Sequence, residues 1–177
     1  MPPKHPSYPY IEPDVARVSL PDIEDLAERN AKDWGYRDGA SLDSVCKSAG
    51  VDLEYSHYPN EIMLDVPLEG RPVVWLPRKA RKRDDRVTVA TALGHWTLHV
   101  DQTRAARPGY GIQALYEPKS RDAFKQAVAF GLTFLMPKEE FMDAWYSGRS
   151  QEASDRFDVP TKLTYLRAES LDLGVAY

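Results

Sequence analysis

The chain has one cysteine in 177 residues, Cys46. No disulfide can form within it, a cysteine-rich metal site is excluded, and the usage fits a reducing compartment such as the cytoplasm. Long hydrophobic runs are missing too. The most apolar segment, AVAFGLTFLM at 127–136, is far shorter than the roughly 20 residues a membrane-spanning helix needs, so it reads as a core helix. The N-terminal MPPKHPSYPYIEP is rich in proline and carries no apolar run. That excludes the hydrophobic segment of a signal peptide, and residues 1–18 read as an extended tail. Charge of one sign is not in excess. A formal net charge of -4 gives no global attraction to nucleic acid or an anionic membrane. There is neither a phosphate-binding glycine loop nor a glycine-flanked nucleophile elbow. Cys46 falls on an apolar helical face, which leaves nucleophilic catalysis without a candidate.

What is present is enough apolar sequence, 42%, for one compact domain over 19–177. Ile23, Leu26, Ala27, Ala31 and Trp34 recur at helical spacing after Pro21, predicting a helix over 19–36. A shorter helix follows in SLDSVCKSAG, with Ser41 as N-cap and Gly50 as stop. VDLEY alternates like a strand. EIMLDV and RPVVWLP flank the turn PLEG, predicting a hairpin of strands at 61–66 and 71–76 and a small sheet of about three strands. Helical spacing returns over 85–100. Residues 100–120, with two glycines and two prolines and no period, read as a long loop. RDAFKQAVAFGLTFLMP is apolar almost all round and reads as a buried helix ended by Pro137. KEEFMDAWYSG and KLTYLRAESLDLG read as two further amphipathic helices.

Two stretches bear on function. RKARKRDDR at 78–86 sets six basic residues against two acidic ones. It reads as a solvated loop or, through Arg81, Lys82 and Arg83, as a contact site for a partner or nucleic acid. The second is VATALGHWTLHVD at 89–101. Steps of about 100° per residue put Val89, Leu93, Trp96 and Val100 on one helix face and Thr88, Thr91, His95 and His99 on another. His95 and His99, four apart on one side of the helix, are either half of a metal site or packed, hydrogen-bonded side chains beside Trp96 and Leu98.

RVTVATALGHWTLH, from Arg86 to His99, resembles the R-F-T-L-A-H-E-L-G-H core of the ImmA/IrrE metallopeptidases. FGLTFLMP resembles that family's helix ending in Met-Pro, RFDVPTKLTYLRAESLDLG its closing segment, and SLDSVCKSAGVDLEY its early helix and strand. The resemblance implies an α+β, zincin-like, mainly helical domain. It also implies a zinc site at which Thr91 stands for the first histidine, Ala92 for the general base and His95 for the second histidine. The family's third ligand is a glutamate on the Met-Pro helix; counted back from Pro137, its position is assigned to Phe124. The nearest acid, Asp122, falls about 200° away round the helix. With only His95 kept, and His99 as the one further candidate, no metal is expected. The resemblance then implies a pseudo-metallopeptidase that binds a protein partner, a helix-turn-helix repressor or similar regulator of a phage or mobile element. Two alternatives stay open. One is an active zinc peptidase using His95, His99 and a loop acid; the other is a nucleic-acid contact protein.

Overall fold

A computed structural model describes residues 8–56, 61–78 and 81–174. Helix α1 (Leu20–Asp33) begins where Ser19 Oγ accepts from the Asp22 amide and Pro21 occupies the first turn, a position where its missing N–H costs nothing. Helix α2 (Asp43–Ala49) ends at Gly50, φ 82°, the left-handed cap that glycine adopts without strain. The residue at its N-cap is Leu42, with no side-chain cap; Ser41 Oγ instead accepts from the Asp43 amide one residue on.

The sheet has five strands where three are expected. β1 (Tyr10–Ile11), β2 (Asp52–Ser56), β3 (Ile62–Val66), β4 (Val73–Pro77) and β5 (Gly111–Leu115) stand in the order β1-β5-β3-β4-β2. β3 and β4 form the expected antiparallel hairpin, with Leu64 opposite Val74. β5 lies inside the segment read as a loop. Its Gly111, Ile112, Gln113 and Ala114 are all buried, so no polar–apolar alternation marks it. The same segment also contains a short helix, α4 (Val100–Ala106).

Helix α3 (Lys82–Leu98) starts within the basic run, which is therefore not all loop. Asp84 and Asp85 in its first turn suit the positive end of the helix dipole. α5 (Arg121–Leu135) is the buried helix before Pro137. α6 (Lys138–Phe157) breaks at Gly148 and Arg149, where the earlier helix was expected to end, and then resumes. α7 (Thr161–Ser170) closes the fold.

α3 is the hub, with Val89, Ala90, Ala92, Leu93 and Val100 just after it all in the core. It crosses α5 at two glycines. A Cβ on Gly94 would lie 2.7 Å from the Ala127 carbonyl oxygen, and one on Gly131 would lie 3.1 Å from the Ala90 carbonyl carbon and the Thr91 nitrogen. The near end of α3 is fixed by Arg86, 6% exposed. Its guanidinium donates to the carbonyls of Ala40, Phe157 and Asp158 and to the Tyr36 hydroxyl. One buried cation thus closes the exposed carbonyl end of α6 and ties three segments together. Burial pushes the Tyr36 hydroxyl above its ordinary pKa, against the pull of Arg86.

Candidate functional site

His95 and His99 are brought together at the far end of α3, where the helix turns into α4. Both are buried, 3% and 0% exposed. Their Nδ1 atoms are 3.0 Å apart. His99 Nε2 is 2.9 Å from Gln126 Oε1 on α5. The amide of Gln126 is oriented by the chain preceding α1: Ala16 N donates to Oε1 and Nε2 donates to Ala16 O, both at 2.8 Å.

Those two backbone contacts fix the protons of the whole group. The oxygen of Gln126 must face His99, so His99 Nε2 carries a hydrogen and donates it. In a neutral imidazole Nδ1 is then bare, and His95 Nδ1 must be the donor across the 3.0 Å contact. His95 is left with an unprotonated Nε2, and His95 and Phe124 both line a cavity of about 540 Å³. Neutrality follows from burial. Desolvation, assisted by the neighbouring His99, drives the His95 pKa down to about 3. Desolvation also lowers that of His99, against the opposing effects of Gln126 and Asp14.

The other expected positions do not join this group. Thr91 is buried, but its hydroxyl donates to Val87 O one turn back, at 2.9 Å. Ala92 is fully buried in the core. Phe124 is half-buried at the cavity wall, with the Arg121 guanidinium 5.1 Å from its ring centre. The α5 residue that reaches the histidines is Gln126, which sequence reasoning missed. The signal was its being the amide of the expected glutamate; its offset of two from Phe124, about 200° round the helix, puts it on nearly the opposite face from the position assigned.

Zinc at such a site needs three protein ligands drawn from imidazole, thiolate and carboxylate. Here two imidazole nitrogens share a proton and the third neighbour is a neutral amide. Among the described residues no group of three or more His, Cys, Asp and Glu side chains is placed to hold a metal. The residues present do not fit the ion.

Within the basic run, Arg83 and Arg86 are engaged inside the chain. Arg83 pairs with Asp158 at 3.0 Å and Asp155 at 3.2 Å, and donates to Ser154 Oγ. Arg81 and Lys82 are exposed.

A long helix laid across a small mixed sheet, with its histidines facing the helix that ends at Met136, defines a metallopeptidase-like fold. The chain belongs to the Peptidase_M78 family, the IrrE N-terminal-like domain, which matches residues 45–169. Among solved structures it is similar to a Mycobacterium tuberculosis transcriptional regulator, with a TM-score of 0.61 and 19% identity over 84% of this chain and 47% of that one. The chain thus spans about half the length of that regulator. No curated protein matches it in sequence. Among the described residues no helix is long and apolar enough to cross a membrane.

Proposed function

We propose that this chain is a catalytically degenerate IrrE-like domain that acts by binding a protein partner, a helix-turn-helix repressor or similar regulator of a phage or mobile element. The observation that carries this reading is the closed hydrogen-bonded series His95–His99–Gln126–Ala16. It engages both nitrogens of His99, the Nδ1 of His95 and the amide of Gln126, which leaves the Nε2 of His95 as the one bare imidazole nitrogen where a zinc site needs three ligands. With Ala92 where the resemblance implies a general base, no carboxylate stands beside His95 on that helix to activate water. What persists is a cleft bordered by a strand edge, and such a cleft binds extended peptide whether or not cleavage follows. Similarity to a protein titled a transcriptional regulator agrees with a regulatory role. Arg81 and Lys82, exposed beside the committed Arg83, are candidate contacts for the partner.

The test mixes the purified chain with a panel of helix-turn-helix regulators, and reads complex formation by calorimetry and regulator integrity by mass spectrometry. A stable complex with the regulator intact is expected. Cleavage of the regulator that stops on chelation would overturn the reading.

A further inference from the structure

The segment before α1 is held in an unusual way. β1 adds to β5 as a parallel edge strand, Tyr10 opposite Gly111, with Gly111 N donating to Pro9 O at 2.9 Å. Beyond it the main chain is read by side chains from two helices. Asp14 N donates to Thr103 Oγ1 at 2.9 Å, Gln102 Nε2 donates to the carbonyls of Asp14 and Val15, and Gln126 takes both main-chain groups of Ala16. Ile11 packs against the core, but from Asp14 to Val18 only Ala16 is buried, with Val15 and Val18 50% and 41% exposed. Strand addition plus polar capture of the backbone is how peptide ligands are bound. Pro9 and Pro13 favour the extended form and lower the ordering cost.

We infer that the groove between β5, α4 and α5 is a peptide site that reads main chain, and that residues 9–16 are its resident ligand in cis, so an outside peptide enters by displacing them. This rests on the peptide-binding reading above and names the ligand class. The ligand is an extended segment with an aromatic residue, an acid four residues on and a small residue two further. The aromatic covers Gly111, where an added Cβ would sit 2.3 Å from the Tyr10 ring. The acid meets Arg107, 3.6 Å from Asp14. The small residue fits where Ala16, 8% exposed, lies on Gln126. A tethered ligand acts at high effective concentration, so the cis segment outcompetes any free peptide of equal contacts.

The test titrates a fluorescein-labelled peptide spanning residues 8–17 against the full chain and against a Tyr10→Ala/Asp14→Ala variant, by anisotropy. At least tenfold tighter binding to the variant is expected. Adding Gln126→Ala should abolish it, and hydrogen exchange at the Gly111 amide should speed up in the variant and slow again with peptide. Equal affinity for both chains, or no binding by a variant shown folded by circular dichroism, would overturn the inference. A regulator complex that forms while peptide exchange fails sinks this inference alone. Peptide exchange without any regulator complex sinks the partner reading alone.

Discussion

At the scale of single residues, the direction of every proton in the His95–His99–Gln126 group follows from one backbone unit, Ala16, and that makes the group sensitive to acid. Both histidines have lower pKa values folded than the ordinary 6.5, His95 at about 3. The unfolded chain therefore binds protons that the folded chain refuses. Stability is intact above about pH 6.5 and falls as the pH drops below it. Each histidine contributes a slope of up to ~1.4 kcal/mol per pH unit. Urea denaturation between pH 7 and pH 4 should show this, with a shallower decline in a His95→Gln variant; parallel declines would contradict it. A second residue-scale prediction concerns Arg86, whose loss would leave several carbonyls without a donor. Arg86→Met should cost on the order of 3 kcal/mol, read as a drop in the denaturation midpoint. That His95 and His99 share one side of the helix was legible from their spacing of four; their hydrogen bond to each other was not. Gln126 was not, because a search for a ligand looks for acids, and this residue is held by Ala16, more than a hundred positions away.

At the scale of elements, the α3–α5 crossing sets the site, since Gly94 and Gly131 let the two backbones approach closely enough for Gln126 to meet His99. Gly94→Ala would press a methyl group into the backbone of Ala127, which has no rotamer with which to move aside. A loss of ~1–3 kcal/mol is expected, larger than for Gly131→Ala with its longer contacts. Equal midpoints for the two variants and the parent would show that the helices shift freely. The helices were legible because their apolar faces repeat at the helical period. The sheet was legible where a turn announced it, at PLEG between β3 and β4, and where VDLEY alternates, at β2. β5 is buried on both faces and so lacks alternation. β1 is two residues long and exists only because β5 offers an edge, which no local pattern encodes. The start of α3 was hidden by its charges, whose role is tertiary: Arg83 and Arg86 face the end of α6.

At the scale of the molecule, a peptidase-like frame surrounds a centre in which hydrogen bonds stand where metal ligation is implied. If the frame is intact, Thr91→His, Ala92→Glu and Gln126→Glu together should let it bind zinc. Each change alone should do little, because ligands act as a unit. Isothermal titration with zinc reads this directly, and a folded triple variant that ignores zinc would mean these positions do not converge. The most direct measurement is simpler: the zinc content of the unaltered chain, purified with the metal available throughout. Well under one zinc per chain is the expected result. Close to one per chain, lost on His95→Ala, would contradict the replacement of metal by the histidine–glutamine series and return the site to peptidase chemistry.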